Sequence, residues 1–324
     1  MPDKTTSGKI TFVVVYHNEE KNISQLLKSI EREISESSKR LFNFVFINNR
    51  SSDQSPEVIQ SWIESQAEPN AKNVNRDLNH MAEARQQALE ASDTEWVVFV
   101  DADSRLKELW FDGLLKTLGD IEDDVVVVGG GSEYLETEGW HKFVTAIAHY
   151  FPMGKKQSQR AVVDHVPTNN YLVKRTQALK AGGFDSFFKR VGEDLDINVR
   201  LKRRGKIIYE PRFSVFHSLP KSSLHWYGKM ALYGRAQSFV FLKYGGAVPK
   251  EKFVPLMLVV VLNLGLAYLP LPSVIVFSSL LLIPRSRFFT LTFLFYGLGE
   301  LVGVFKYFFV KSFVGSLSLK KSKA

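Results

Sequence analysis

The chain has 324 residues, of which 45% are hydrophobic, so it can build one large α/β domain with an appendage or two ordinary domains. It contains no cysteine, which excludes disulfide bonds and thiolate metal sites. The net charge is +8, and ten basic against two acidic residues from Lys243 onward account for the whole excess. Because this charge lies beside apolar stretches, it indicates membrane lipids with anionic headgroups as partners, and no nucleic acid.

Apolar, β-branched segments alternate with helical segments over the first 130 residues. Predicted strands cover residues 10–16, 42–47, 96–100 and 125–129, and predicted helices cover residues 22–34, 56–65, 81–91 and 109–118. Residues 10–16 and 96–100 are apolar, β-branched runs without alternation, which is typical of strands buried on both faces of a sheet. The pattern therefore predicts an α/β fold with a doubly wound, mostly parallel sheet. In such sheets, ligands bind beyond the carboxyl ends of the strands.

The next hundred or so residues follow a less regular pattern. Residues 133–166 combine aromatic residues with a polar, basic segment, and we expect a helix followed by a loop there. Residues 154–160 of that loop are either a lid that closes over a ligand or a solvated linker. Short strands are predicted at residues 171–174, 207–210 and 215–217, and a helix at residues 194–204.

Two long apolar stretches follow. Residues 253–283 carry no charge but contain three prolines, which predicts one kinked membrane span or a hairpin with both ends cytoplasmic. Residues 288–310 contain Glu300 and a G-x-x-x-G pattern formed by Gly299 and Gly303. We expect this stretch to cross the membrane with its glycines packed against another helix; a helix lying in the membrane interface is the alternative.

The predicted organisation is a domain over residues 1–245, membrane-associated helices over residues 250–312 and a basic tail over residues 313–324. The first nine residues, MPDKTTSGK, have no apolar core, so we expect no secretory signal peptide. The localisation that follows is the cell membrane, with the domain at residues 1–245 on the cytoplasmic side.

Asp101 and Asp103 follow directly after the predicted buried strand at residues 96–100. Two carboxylates at a strand end can point to the same side as the chain turns. Hard oxygen ligands of this kind suit Mg²⁺ or Mn²⁺, and such an ion would bridge the phosphates of a nucleotide. A D-x-D pattern alone is more often a pair of surface aspartates, so its context decides.

The ordered set of motifs resembles that of family 2 glycosyltransferases, which have the A-type nucleotide-sugar transferase fold (GT-A). The resemblance extends over residues 10–217. It depends on Tyr16-His17-Asn18-Glu19, Asn48-Asn49-Arg50-Ser51-Ser52-Asp53, Asn79 with Ala84-Arg85, Asp101-Ala102-Asp103, and Gly182-Gly183-Phe184-Asp185 followed by Gly192-Glu193-Asp194. Each motif is modest, but the ordered set is specific.

The resemblance implies a nucleotide-sugar half at about residues 1–130. In that half, Tyr16, Asn18 and Glu19 would line the pocket for the base and ribose. Asn49 would face the base, and Arg85 would lie near the diphosphate.

For the metal, the resemblance implies that Asp103 holds Mg²⁺ or Mn²⁺ directly, while Asp101 assists or binds the ribose. His217 follows a short predicted strand, where some family members supply a further metal ligand. A structural histidine is an equal alternative at this position.

The acceptor half is expected at about residues 131–245. Asp194 would be the catalytic base that takes the proton from the acceptor hydroxyl, and Glu193 would bind acceptor hydroxyls. The alternative is helix capping, with Asp196 and Arg200 as an ion pair one turn apart. Trp140 would stack on an acceptor sugar, although core packing is the commoner role of an aromatic residue.

Several positions depart from the family pattern. Asn48 and Asn49 replace the usual acidic pair, and Arg50 and Met81 stand where glycine is usual. The donor base is therefore left open between UDP- and GDP-linked sugars. The implied function is inverting transfer of a sugar to a hydroxyl of a glycan or lipid-linked acceptor at the cytoplasmic membrane face. The alternatives are a polyprenyl phosphate acceptor, which would need no base, and a non-catalytic scaffold that binds nucleotide sugars.

Overall fold

The computed structural model describes residues 10–66, 70–76, 78, 80–135, 138–148, 159–189, 191–220, 222–245, 279–280 and 284–313. These residues form two compact units: the first lies within Met1–Leu135 and Pro152–Ser218, and the second within Glu136–Phe151 and Leu219–Ala324. Several predicted features lie wholly or partly outside the described residues: residues 253–278 and 281–283 of the membrane stretch at 253–283, Asn79, residues 154–158 of the loop at 154–160, and residues 314–324 of the tail at 313–324. The predicted domain limits stay predictions.

The first unit contains one sheet of nine strands. They are β1 (Ile10–Tyr16), β2 (Phe42–Asn49), β3 (Ala71–Arg76), β4 (Trp96–Val100), β5 (Ser104–Leu106), β6 (Val125–Tyr134), β7 (Ala161–Val162), β8 (Asn170–Lys174) and β9 (Lys206–His217). Their order is β3-β2-β1-β4-β8-β6-β9-β5, and β7 pairs with β9. The α/β prediction is confirmed.

The sheet is mixed, so the predicted doubly wound, mostly parallel sheet is confirmed in part: the described strands β5, β7 and β8 run opposite to the other six. Among the described strand pairs, β1–β2, β1–β4, β2–β3 and β6–β9 are parallel. The pairs β4–β8, β6–β8, β5–β9 and β7–β9 are antiparallel. The parallel pairs β1–β2, β1–β4 and β2–β3 lie where strands and helices alternate regularly, because a parallel pair needs a crossover connection. Past β4 that alternation stops, and β8 inserts between β4 and β6 in the opposite direction.

Helices cover both faces of the sheet in the first unit. They are α1 (Glu20–Glu33), α2 (Glu36–Lys39), α3 (Ser55–Ser65), α4 (Met81–Ala91), α5 (Trp110–Gly119), α7 (Arg175–Lys180) and α8 (Glu193–Leu201). Because side chains alternate along a strand, Phe12 and Val14 of β1 join one apolar core with α1, while Val13 and Val15 join another with α4. The apolar strand segments are thus buried on both sides, as predicted.

The second unit contains α6 (His141–Ala148), α9 (Ser223–Tyr244) and α10 (Pro284–Phe313). Glycines set the close approach of α9 and α10, because a Cβ on Gly234 would collide with the Tyr296 carbonyl oxygen and one on Gly299 with the Ala231 carbonyl oxygen. The expected close packing through the G-x-x-x-G pattern is confirmed for this helix pair.

Glu300 of α10 is fully buried between the two helices. Its Oε1 accepts a hydrogen bond of 3.0 Å from Gln237 Nε2, and its backbone oxygen accepts one of 2.9 Å from Ser238 Oγ. In the described part of the chain, no helix combines the length and the apolar character needed to cross a membrane. The predicted crossing at residues 288–310 therefore has no support there; its acidic residue is accommodated by polar groups of α9.

We expect Gly234→Ala to destabilise the second unit. The added methyl group would meet backbone atoms of α10, which cannot move aside without separating the helices. Such overpacking costs about 1–3 kcal/mol. Gly228→Ala is the matched control, since Gly228 lies in the same helix with open space around its Cβ position. There, alanine should stabilise by about 0.5–1 kcal/mol. Thermal unfolding monitored by circular dichroism measures both, and equal melting temperatures would contradict the prediction.

Candidate active site

The loops after β1 and β2 are tied together by Asn18. Its Oδ1 accepts hydrogen bonds from the backbone N–H of Ser52 at 2.7 Å and of Asp53 at 3.3 Å. Its own N–H donates to Ser51 Oγ at 3.0 Å. Asn18 and Arg50 both have left-handed backbone conformations, with φ of 54° and 63°. A side chain is disfavoured there relative to glycine, which accounts for glycine being usual where this chain has Arg50.

Tyr16 and Asn49 lie at the carboxyl ends of β1 and β2. Tyr16 is completely buried and its hydroxyl donates to Asn73 Oδ1 at 2.8 Å. Burial raises the pKa of Tyr16 to about 12. The backbone oxygen of Asn49 lies 2.8 Å from His17 Nδ1. Since a carbonyl oxygen only accepts, His17 carries a proton on Nδ1. The predicted roles of Tyr16 and Asn49 in base binding stay predictions.

Glu19 begins the turn into α1. Its N–H donates to Ser55 Oγ at 2.9 Å, and its carboxylate accepts a hydrogen bond from Asn22 at 2.6 Å. Burial raises the pKa of Glu19; the bond from Asn22 opposes this, and the charges of Asp103 and Asp101 add to it. Glu19 therefore faces the D-x-D pair.

Asp101, Asp103 and His217 form a cluster whose potential ligand atoms all lie within 4.8 Å of one another. The register of the sheet brings them together, because Ser104 of β5 pairs with His217 at the end of β9. His217 Nε2 lies 3.3 Å from Asp103 Oδ1 and 3.8 Å from Asp101 Oδ2. Burial alone would lower the pKa of His217, but the two carboxylates raise it to about 10.

Arg85 of α4 joins this cluster to α8. Its Nη2 donates to Asp101 Oδ1 at 2.8 Å, and its Nη1 donates to Glu193 Oε1. Burial would raise the pKa of Asp101, but Arg85 and His217 hold it well below its usual range. Arg85 is 5% exposed, so it is a fixed positive charge between two acidic groups. The prediction that it contacts a diphosphate stays a prediction.

Glu193 and Asp194 begin α8 but differ in accessibility. Glu193 is 5% exposed, and its Oε2 is buried without a hydrogen-bond partner among the described residues. The Asp194 side chain is 24% exposed, and its Oδ1 accepts a hydrogen bond of 2.7 Å from the Leu195 N–H. Burial would raise the pKa of Asp194, but His165 and the Leu195 N–H lower it. Asp194 is therefore the ionised and more accessible carboxylate of the pair.

The Gly-Gly-Phe segment fixes the approach of the chain to α8. Gly182 and Gly183 both have positive φ, of 90° and 64°. A Cβ on Gly183 would collide with the side chain of Gln86, whose Oε1 accepts a hydrogen bond of 2.8 Å from the Phe184 N–H. Gln86 thus ties this segment to α4, next to Arg85. The predicted ion pair between Asp196 and Arg200 is also present, with Arg200 Nε 3.0 Å from Asp196 Oδ2.

Trp140 lies in the second unit, where its ring is 4.0 Å from His141 and 5.8 Å from Phe288. Trp140 therefore packs in an aromatic cluster, as in the core-packing alternative given for it from the sequence. The acceptor role stays a prediction.

Sequence reasoning missed two polar residues of this region, His165 and Gln86. His165 Nε2 lies 3.4 Å from Asp194 Oδ2. Neither residue belongs to a motif quoted above, and only the folded chain brings them to their partners.

We expect the stability of the protein to fall with rising pH through Glu193. Burial raises the pKa of Glu193 to about 7; Arg85 opposes this shift and the charge of Asp194 adds to it. Between the ordinary value of 4.5 and about 7, the folded state binds more protons at this group than the unfolded state, so stability decreases as pH increases. Glu193→Gln cannot ionise but still offers an oxygen to Arg85.

The Glu193→Gln variant should therefore gain stability relative to the unchanged protein as pH rises from about 5 to about 8. Melting temperatures of both proteins across this range measure the effect. Glu122→Gln is the control, because this carboxylate is 59% exposed, and it should leave the slope unchanged. A slope that Glu193→Gln leaves unaltered would contradict the raised pKa of Glu193.

A carboxylate and imidazole cluster at the carboxyl edge of an α/β sheet, linked through arginine to a second acidic pair, is the arrangement that the resemblance to GT-A glycosyltransferases implies. The chain belongs to glycosyl transferase family 2. The family model "Glycosyl transferase family 2" matches residues 11–179, and the model "Glycosyl transferase family group 2" matches residues 96–306.

Two named proteins share low sequence identity with part of this chain. The teichoic acid poly(glycerol phosphate) polymerase of Staphylococcus epidermidis is 33% identical over 100 residues, which are 31% of this chain and 13% of that protein. The pre-mycofactocin glycosyltransferase of Mycobacterium tuberculosis is 27% identical over 159 residues, which are 47% of this chain and 33% of that protein. The chain thus spans about a third or less of the length of these two relatives.

Two solved structures are similar in fold. The mannosyltransferase PcManGT of Pyrobaculum calidifontis, solved with GDP-Man and Mn²⁺, has a TM-score of 0.66 at 18% identity, covering 94% of this chain and 90% of that one. S. aureus TarS, solved with UDP, has a TM-score of 0.52 at 17% identity, covering 81% of this chain and 72% of that one. At these identities the likeness establishes the fold alone. The protein is a glycosyltransferase by its family.

Proposed function

We propose that this glycosyltransferase moves a sugar from a UDP- or GDP-linked donor to a hydroxyl of a glycan or lipid-linked acceptor, with inversion at the anomeric carbon. The observation that carries the proposal is the continuous chain of charged groups from His217 through Asp101 and Arg85 to Glu193 and Asp194. It links a site for a metal and a diphosphate to a carboxylate that can take a proton.

The donor atoms of Asp101, Asp103 and His217 fit Mg²⁺ or Mn²⁺. Two carboxylates and one imidazole form a hard, mixed oxygen and nitrogen set, and their spacing allows one ion to reach all three. When bound, the ion supplies positive charge that stabilises the leaving diphosphate. Arg85, held by Asp101 and Glu193, adds a second positive charge at the same place.

Asp194 is the group proposed to accept the proton. As the acceptor oxygen bonds to the anomeric carbon, the bond to the diphosphate breaks and its electron pair leaves with the nucleotide. The hydroxyl proton passes to the Asp194 carboxylate, which is ionised and partly exposed. Glu193 is the poorer candidate although its pKa lies near neutrality, because it is 5% exposed and bound to Arg85.

The donor class is supported by the solved structures of similar fold. PcManGT was solved with GDP-Man and Mn²⁺, and TarS with UDP and with UDP-GlcNAc. These ligands keep both UDP- and GDP-linked donors in the proposal.

The cytoplasmic membrane face is the proposed place of action. The support is the sequence: the positive excess lies entirely from Lys243 onward, beside the uncharged stretch at residues 253–283. Anionic lipid surfaces attract such segments by about 1 kcal/mol for each basic residue near the surface.

A panel of sugar nucleotides tests the function. UDP-glucose, UDP-GlcNAc and GDP-mannose would each be incubated with the protein and Mn²⁺, Mg²⁺ or EDTA, with water as the acceptor. The expected result is metal-dependent release of one nucleoside diphosphate. Binding of a donor without any release would favour the non-catalytic scaffold, and a folded protein that neither hydrolyses nor binds any of these donors would contradict the proposal.

A further inference from the structure

His165 lies beside the carboxylate to which the proposed function assigns the proton. Its Nε2 is 3.4 Å from Asp194 Oδ2, and both side chains are partly buried, at 25% and 24% exposure. The other carboxylate oxygen, Oδ1, accepts the Leu195 N–H at 2.7 Å. Asp194 is thus contacted on both oxygens: Oδ1 is held by the Leu195 N–H, and Oδ2 faces the buried His165 Nε2, which forms no ordinary hydrogen bond within the described residues.

A buried clamp holds the chain segment of His165 at this distance. Asn198 of α8 is fully buried, and its Nδ2 donates to the backbone oxygen of Asp194 at 2.6 Å and to that of Val166 at 3.0 Å. One side-chain amide therefore connects the first turn of α8 with the residue after His165. This buried connection through Asn198 distinguishes the contact of His165 with Asp194 from a chance contact between two surface side chains.

We infer that His165 is a positioning residue, which holds the Asp194 carboxylate in the orientation that accepts the proton from the acceptor hydroxyl. The inference rests on the proposed function, because it gives His165 a role only through Asp194. A base acts best when a third group orients it. The distance of 3.4 Å is longer than an ordinary hydrogen bond, and such contacts commonly tighten once a substrate is bound.

Two substitutions of His165 distinguish a role in orienting Asp194 from a role in packing alone. His165→Leu removes the N–H group, whereas His165→Gln retains an amide N–H near the position of Nε2. Removing a general base lowers the rate by about 100- to 10,000-fold. Loss of the base's orientation should have a smaller effect, so we expect His165→Leu to lower kcat by about tenfold or more. The KM for the sugar nucleotide should stay within about twofold, and His165→Gln should recover most of the lost kcat.

The pH profile provides a readout that packing alone would not move. His165 lowers the pKa of Asp194 against the effect of burial, so its loss raises that pKa. Because the base must be ionised, the decline of kcat at acidic pH should begin at higher pH in His165→Leu. Arg85 of α4, Glu193 of α8 and Tyr171 of β8 also face Asp194 and are unchanged in every variant.

The experiment measures nucleoside diphosphate release with Mn²⁺ and the donor that reacts fastest in the panel above, using the full chain. Unaltered kcat and pH profile in His165→Leu, or a glutamine variant no better than leucine, would overturn the inference. Should His165→Leu fail to fold, His165→Asn replaces it, since its shorter side chain falls short of Asp194. Asp194→Asn in the same assay distinguishes the two proposals. If Asp194→Asn is inactive while the His165 variants have normal activity, only the role of His165 is wrong. If Asp194→Asn is active, or if no donor releases a nucleoside diphosphate, both proposals are overturned.

Discussion

Asp194→Asn is expected to reduce the rate of sugar transfer by about 100- to 10,000-fold, the usual contribution of a general base. Asparagine has the same shape and its oxygen can still accept the Leu195 N–H, but it cannot take a proton at neutral pH. The affinity for the donor nucleotide should change little, because the Asp101–Arg85 contact and the metal cluster are untouched. Nucleoside diphosphate release measures kcat, and thermal shift with the nucleotide measures binding.

The matched control is Asp164→Asn. Asp164 is also a carboxylate of the first unit, but its side chain is 60% exposed and pairs with the exposed Lys202. Its loss should leave both kcat and nucleotide binding unaltered, since exposed ion pairs contribute little. If Asp194→Asn transferred sugar at the rate of the unchanged enzyme, the proton would have another acceptor. A polyprenyl phosphate acceptor, which brings its own ionised oxygen, would then be the better hypothesis.

Much of the sheet could be predicted from the sequence, because burial on both faces requires apolar residues at every position of a strand. Most of β1, β2, β4 and the first half of β6 is apolar and buried, and these strands were predicted. The strand β3, with the sequence AKNVNR, could not be, since it has no buried residue and lies at the edge of the sheet. The strand β9 was predicted as two strands, at residues 207–210 and 215–217, but it is continuous and has an irregular register opposite Gly130 and Gly131.

The candidate site was predictable where a motif follows a strand. Asp101 and Asp103 were chosen from their place after a predicted strand and His217 from the resemblance to the family, and the pairing of β5 with β9 brings the three together. The position of His165 could not be predicted, because it depends on the buried Asn198, which connects two segments through the backbone. Likewise, the sequence around Arg85 does not indicate that it binds two carboxylates at once. These contacts form only when α4, the end of β4 and α8 come together in the folded chain.

The apolar character of the C-terminal region led to one expectation that the described structure does not support. The stretch at residues 288–310 is apolar enough to suggest a span, yet in α10 its glycines and Glu300 contact α9. Apolar composition alone does not distinguish lipid from a neighbouring helix as the partner of a helix face.

Asp103→Asn is expected to abolish metal-dependent binding of the nucleotide. Asp103 supplies one of the three ligand groups, and an amide oxygen is a weaker ligand without charge. Asp103 is a better choice than Asp101, because Asp101 also accepts a hydrogen bond from Arg85 and its loss would disturb two contacts. Thermal shift with UDP or GDP, in Mn²⁺ and in EDTA, measures the effect. A ligand at 100 times its Kd stabilises by about 2.7 kcal/mol, which is a measurable increase in melting temperature.

The metal should also bind more tightly as pH rises. His217 has a pKa raised to about 10 by the two carboxylates, so in the free protein it holds a proton that the ion must displace. Asp124→Asn is the control, since this carboxylate is 57% exposed and pairs with Lys206; it should keep the full metal-dependent shift. If Asp103→Asn kept that shift, or if affinity for Mn²⁺ did not increase with pH, the cluster of Asp101, Asp103 and His217 would not be the metal site. The charge of the diphosphate would then have to be neutralised by basic side chains of the protein, and Arg85 would be the first of these to test.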